Sequence, residues 1–235
     1  MRALQRRLAT DTRYTLLGLP LAVASFAVTT VGVSAGLGSA VAFVGLPVLA
    51  ATAAASRHLA DLERVALPGV LGHPVARPPY APAPEGAGWF RRVMNPLTSG
   101  QAWMDLLYGI IAFPFSLLAF VLTTVWWAGT VAGLTFPIYG WAVARIPGAE
   151  HGVVLQWLGL PDTPTMYVVA TTAVGVLFAL TLVPVVRMAA LLKAGVAQVL
   201  LTRAVPQEKP GFPQEKHAVS QEKPAGTPEP AWLAG

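Results

Sequence analysis

The chain has 235 residues, of which 54% are hydrophobic and only 11% charged. Soluble domains carry about a quarter charged residues, so this composition indicates an integral membrane protein. The chain has no cysteine, which excludes disulfides, thiolate nucleophiles and cysteine-based metal sites. Its net charge is +5, but no basic face interleaved with aromatic residues accompanies that charge, so we expect no nucleic-acid partner.

Four apolar stretches follow one another along the chain, at residues 14–37, 39–55, 106–128 and 165–186. Each is close to the roughly 20 residues that a helix needs to cross about 30 Å of hydrocarbon. A turn of small residues joins the first two. The N-terminal segment is basic, as in a signal peptide, but its apolar run is too long for one. The sequence therefore predicts an all-α fold with four transmembrane helices arranged as two hairpins.

The basic residues predict the orientation of these helices. With four crossings, 15 of the 16 lysines and arginines lie on one side, and only Arg145 lies on the other. Because cytoplasmic segments carry the excess of basic residues, we expect a multi-pass protein of the cell membrane with both termini cytoplasmic. A fifth span at 131–144 would be too short, at about 14 residues. That stretch is expected either to extend the third helix or to lie at the outer interface.

Each hairpin is followed by a segment with helical amphipathic spacing, beginning at Ser56 and at Arg187. Both are expected to lie along the inner membrane surface and to serve as cytoplasmic output helices. The candidate output residues are Arg57, Asp61, Arg64, Arg187 and Lys193. Residues 73–88 form a proline-rich linker, and residues 204–235 form a tail with three QEK repeats that we predict to be disordered.

The two hairpins look like copies of one another. Pro20 corresponds to Pro114 at an offset of 94 residues, and the Thr-Thr-Val run at 29–31 corresponds to that at 123–125. Pro47 and Pro184 occupy the matching exits. A parallel duplication is predicted, with repeats at about 14–72 and 102–203 that both begin inside. The four prolines are candidate hinges, or they fix a packing geometry that both copies inherited.

Several motifs carry a family resemblance: YTLLGLPL near the start, VGLPVLA at the end of the second span, the arginine-led SRHLADLERVALPGVLG, and WMDLLYGIIAFPFSLLAF. With these, residues 10–203 resemble the membrane sensor domain at the N-terminus of certain bacterial two-component histidine kinases. The resemblance implies a four-helix sensory module over residues 1–203. No kinase or ATP-binding pattern accompanies it here, so kinase activity is not implied for this chain.

The sequence offers no catalytic, cofactor-binding or metal-binding residues, and its four histidines are scattered without spaced carboxylates. The segment between the third and fourth spans is the main outer material, and it is the candidate sensing surface. That surface comprises Tyr139, Trp141, Arg145, Glu150, His151, Trp157 and Asp162.

We therefore expect a non-enzymatic sensor or signalling subunit that lies in membrane lipid. It would relay a membrane or extracytoplasmic signal to a separate kinase, regulator or transporter component. The alternative is a small transporter or channel subunit. The sequence leaves the oligomeric state open.

Overall fold

The computed structural model describes residues 2–39, 44–76, 94–146 and 163–202, together with the single positions 78, 86, 88, 91, 159 and 161. The described elements are helical. Helix α1 spans Arg2–Gly38, α2 spans Gly45–Leu71, the short 3₁₀ helix η1 spans Asn95–Thr98, α3 spans Gly100–Val143 and α4 spans Pro164–Leu201. The disordered-tail prediction for residues 204–235 lies outside the described residues.

Local signals explain several helix ends. The Ser99 hydroxyl caps α3 by accepting a hydrogen bond from the Ala102 N–H at 3.2 Å, and Thr163 caps α4 through Met166 in the same way. Helix α2 ends at Gly72, which adopts φ +79° and donates its N–H to the Pro68 carbonyl. This left-handed position favours glycine because it has no Cβ.

Many buried positions of the helices hold small or polar residues, and many large apolar side chains are exposed. On α1, the buried set includes Thr15, Gly18, Ser25 and Thr29, whereas Val31 is 68% exposed. Exposed large apolar side chains recur along α3 and α4. Small inward residues let membrane helices approach closely while lipid covers their outer faces. Together with the lengths of the helices, this distribution is that of a membrane protein.

Within the described residues, α1, α3 and α4 are long and apolar enough to cross a membrane. Helix α2 is less apolar than these three, since its 27 residues include Arg57, Asp61 and other charged side chains, and it is not among the helices that could cross a membrane by length and composition. Three spans are therefore supported, and the fourth stays a prediction. Helix α3 continues to Val143, so the stretch after Val131 extends the third helix.

Close contacts between small residues fix the register within each hairpin. In the first, Gly36 faces Leu49, and the hydroxyls of Thr29 and Ser56 hydrogen-bond at 3.2 Å. In the second, a Cβ on Gly133 would collide with the backbone of Gly175. Each hairpin is antiparallel, as the sequence predicts.

The two hairpins pack in opposite directions. The rings of Phe26 and Phe113 stack at 4.9 Å, and the indole of Trp127 donates to the Thr12 hydroxyl at 3.1 Å. Helix α1 is thus antiparallel to α3 and parallel to α4. A parallel duplication would instead make α1 and α3 parallel, so this register corrects that expectation. The physical reason is that Gly109 on α3 lets the Thr29 side chain of α1 pack directly against the helix backbone. A Cβ at position 109 would collide with that side chain.

The two amphipathic segments are not separate interfacial helices. They continue α2 to Leu71 and α4 to Leu201 without interruption, and they pack against each other and the other two helices. In α2, the apolar Leu62 is 59% exposed, whereas the charged Arg64 is only 3% exposed. This correction follows from ion pairs that turn the charged side of α2 inward.

Three of the four candidate hinge prolines lie inside helices: Pro20 in α1, Pro114 in α3 and Pro184 in α4. Each removes one helix hydrogen bond, so each remains a candidate hinge. Pro47 is different because it is the third residue of α2. An N–H at that position has no partner within the helix, so Pro47 interrupts no hydrogen bond.

Candidate functional site

The buried carboxylate of Glu63 on α2 joins three helices. Its Oε1 accepts a hydrogen bond from Lys193 Nζ on α4 at 2.5 Å and another from the Tyr14 phenol on α1 at 2.5 Å. The Lys193 ammonium also lies 3.8 Å from the centre of the Tyr14 ring, which is close enough for a cation–π contact. The side chains of the Lys193–Glu63 pair are only 2% and 3% exposed.

Glycine makes room for this pair. Gly18 on α1 lies where a Cβ would collide with the end of the Lys193 side chain. Tyr108 on α3 is also buried and lies close to the Glu63 side chain. All four helices therefore contribute to the surroundings of one carboxylate.

The next residue, Arg64, forms a second junction. Its NH2 group donates to Asp105 on α3 at 2.5 Å, its NH1 group donates to Asp61 at 2.7 Å, and its Nε donates to the Leu201 carbonyl at 2.9 Å. Gln101 on α3 donates to both Asp105 and the Leu200 carbonyl. A planar guanidinium can serve several acceptors in this way, and it here ties α2 to α3 and to the end of α4.

A third junction joins α1 to α4. The Arg187 guanidinium donates to both carboxylate oxygens of Asp11, at 2.9 and 3.3 Å, and to the Val70 carbonyl at 2.8 Å. Asp11 is buried, while the Arg187 side chain is 35% exposed. Among the three interhelical ion pairs of the described residues, this pair is therefore the most solvent-accessible.

These three junctions form an ion-pair network, which we define as Asp11, Tyr14, Glu63, Arg64, Asp105, Arg187 and Lys193. Buried charges need partners, and removing one partner of a buried pair is strongly destabilising because the other charge is left unpaired. Any sliding of one helix against another must break or exchange these pairs. The network can therefore hold the bundle in discrete arrangements, which is the physical requirement for a conformational switch.

The structure brings together four of the five predicted output residues. Arg64, Lys193 and Arg187 belong to the network and Asp61 contacts it. Arg57 lies on the same helix but outside these junctions. All five side chains are buried or partly buried, and their role in output stays a prediction.

Sequence reasoning missed the acidic half of the network. Glu63, Asp105 and Asp11 are all buried, yet no pattern in the sequence pairs them with basic residues on other helices. One signal was available: Ala60, Glu63, Leu67 and Val70 share a helical face and are all buried, which places Glu63 on the inward side of α2.

The predicted sensing surface is only partly described. Tyr139 and Trp141 are exposed on α3, and the Arg145 guanidinium lies 5.1 Å from the centre of the Trp141 ring. Glu150, His151, Trp157 and Asp162 lie outside the described residues. The described part is an aromatic and cationic patch at the end of α3.

A row of hydroxyls lies on the inward face of α3 at seven-residue spacing. The side-chain oxygens of Ser116, Thr123 and Thr130 are buried and have no hydrogen-bond partner among the described residues. Such hydroxyls can bond to water or to polar ligands within a helix bundle.

The family model described as "Putative sensor" matches residues 14–201. The chain belongs to this family. The match covers all of α2, α3 and α4 and the part of α1 from Tyr14 onward, including every network residue except Asp11. The curated proteins and the solved structures that were compared give no match. The sensor family thus supports a sensing role at a membrane, and the details of that role rest on the site itself.

Proposed function

We propose that this member of the sensor family is a non-enzymatic signalling subunit that relays a membrane or extracytoplasmic signal to a separate protein. The observation that carries the proposal is the Lys193–Glu63 pair with its Tyr14 contact, because it couples α1, α2 and α4 through one buried carboxylate. A displacement of any of these helices alters the contacts of the other two.

In this proposal, signals act by shifting the long helices, and the network converts the shift into a choice between arrangements. A ligand can shift such an equilibrium only by its difference in affinity for the two states. The aromatic patch at Tyr139, Trp141 and Arg145 is the proposed site of input. The ends of α2 and α4, which carry Arg64 and Lys193, are the proposed output.

We propose further that the basic N- and C-terminal segments lie in the cytoplasm, as the positions of Lys and Arg predict. The parallel directions of α1 and α4 argue against this orientation, because they put Arg2 and Leu201 at opposite ends of the helix bundle.

Reporter fusions after Arg7 and after Arg203 distinguish these orientations. We expect cytoplasmic signals from both fusions, since insertion responds to the basic flanks. An outer signal from the second fusion alone would instead agree with the observed register and overturn the charge-based orientation. Cysteines at Thr12 and Trp127, whose side chains hydrogen-bond in the structure, supply an independent test of that register by cross-linking.

The relay is tested with defined partners. The chain is co-expressed with each kinase, regulator or transporter component encoded beside it, and each pair is cross-linked in membranes before purification. We expect one partner to co-purify, and we expect Lys193→Met to change that partner's activity or phosphorylation without abolishing membrane insertion. The relay is refuted if no such partner co-purifies, or if Lys193→Met leaves the partner's activity and phosphorylation unchanged.

A small transporter or channel subunit is the second candidate. The specific observation in its favour is the row of buried hydroxyls at Ser116, Thr123 and Thr130, for which the described part of the chain supplies no hydrogen-bond partner and which could line a polar path. Flux through proteoliposomes that contain the purified chain would support this candidate. Alanine at Thr123 should then reduce that flux, whereas absence of flux favours the sensor.

A further inference from the structure

A groove between α1 and α2 has features that the relay does not use. Its volume is about 330 Å³, at the lower end of the range of roughly 300–1,000 Å³ for small-molecule sites. The lining residues come from two helices only: Thr10, Arg13, Tyr14, Leu17, Gly18, Leu21, Glu63, Ala66 and Val70. The lining of the groove is mainly apolar, so it suits an alkyl chain better than a polar ligand.

Charge at the groove is uneven. Glu63 is already matched by Lys193 and by the Tyr14 phenol, so it offers little attraction to a further cation. Arg13, by contrast, is exposed, and none of the ion pairs formed within the described parts of the chain includes it. The charge that remains available to a ligand is therefore positive.

The position of Arg13 along α1 indicates which ligand this is. Arg13 directly precedes the apolar stretch that begins at residue 14, and Leu17, which is 59% exposed, lies one turn further along the groove. A cation at the start of a membrane helix lies at the level of the lipid headgroups, and the residues after it face acyl chains.

We propose that this groove binds one anionic phospholipid, with its phosphate on Arg13 and one acyl chain along Leu17, Leu21 and Ala66. Arg13 attracts the headgroup, and the apolar walls hold the chain. The chain would lie against Tyr14 and Gly18, which contact the Lys193 side chain. The bound lipid and the Lys193 side chain of the ion-pair network would then contact the same two residues, Tyr14 and Gly18.

The test uses the full chain in mild detergent with phosphatidylglycerol or phosphatidylcholine of identical acyl chains, and native mass spectrometry counts the retained lipid. We expect the unmodified protein to retain one phosphatidylglycerol in preference to phosphatidylcholine. Arg13→Gln should lower retention of phosphatidylglycerol about fivefold, the effect of one basic residue at an anionic surface. Its effect on phosphatidylcholine should be negligible.

Two matched controls separate the site from lipid that merely surrounds the protein. Arg6→Gln removes an exposed cation from the same helix outside the groove, and it should leave retention unchanged. Ala66→Trp should fill the groove and reduce retention of both lipids, whereas Val65→Trp, at a 66% exposed neighbouring position, should not. Circular dichroism checks that each variant is folded.

Equal retention of the two lipids by the unmodified protein would overturn the proposal. So would equal effects of Arg13→Gln and Arg6→Gln, because the bound lipid would then be non-specific. Neither outcome involves a protein partner, so the lipid site and the relay can fail independently.

Discussion

The Lys193–Glu63 pair provides a direct test of the network. Its two side chains are 2% and 3% exposed, and their charged atoms lie 2.5 Å apart. Lys193→Met retains the length of the side chain but removes the charge, leaving the Glu63 carboxylate with the Tyr14 phenol as its remaining hydrogen-bond donor among those described. Breaking one side of a buried pair in this way typically destabilises a protein by about 3–5 kcal/mol.

The double variant decides whether this loss arises from the pair. In Glu63→Gln with Lys193→Met, neither charge is left unpaired, and replacing both partners of a buried pair is often close to neutral. We therefore expect the double variant to be more stable than Lys193→Met alone. The coupling free energy between the two positions should be about 2 kcal/mol or more.

Unfolding by sodium dodecyl sulfate in mixed micelles, followed by circular dichroism, measures these free energies. Arg6→Gln is the control, since Arg6 is exposed and its loss should change stability by less than about 0.5 kcal/mol. If the two single effects simply add in the double variant, Glu63 and Lys193 do not interact energetically. The proposal that this pair couples the helices would then be wrong.

Two further predictions follow from the other contacts. Arg64→Lys should destabilise the chain by about 2 kcal/mol or more, because one ammonium cannot replace three directed guanidinium hydrogen bonds. Asp61→Asn should destabilise it by about 1 kcal/mol or less, since the Asp61 side chain is 40% exposed. The same unfolding assay measures both variants, and equal losses of stability would contradict the observed hydrogen bonds. Gly133→Leu should separate α3 from α4 and lower the melting temperature, whereas Gly195→Ala, which meets nothing within 4 Å, should preserve or raise it. A harmless Gly133→Leu would show that the close approach of the two helices is not needed.

Several features followed from the sequence because each depends on local composition. Apolar runs of about 20 residues predict membrane helices wherever they occur, and three of the helices match that prediction. The motifs around Pro20 and Pro114 identified the sensor family. The extension of α3 beyond Val131 was one of two alternatives, and the structure selects it because no break interrupts the helix before Ala144.

The network could not be predicted in the same way. Asp11 and Arg187 are 176 residues apart, and no sequence spacing rule relates residues on different helices. The amphipathic spacing after Ser56 predicts a separate helix that lies along the inner membrane surface, with its charged residues in water. A bundle of membrane helices reverses that choice, because lipid accepts the leucines while the charged residues need partners inside.

The sequence by itself determined that this chain lies in a membrane and belongs to a sensor family, because hydrophobic length and local motifs are properties of contiguous segments. Only the tertiary structure decided which charges meet, which direction the second hairpin takes against the first, and that Glu63 and Lys193 are buried together. Those outcomes depend on which helix faces come together, and glycines such as Gly18 and Gly109 set that choice by how closely they let the helices approach.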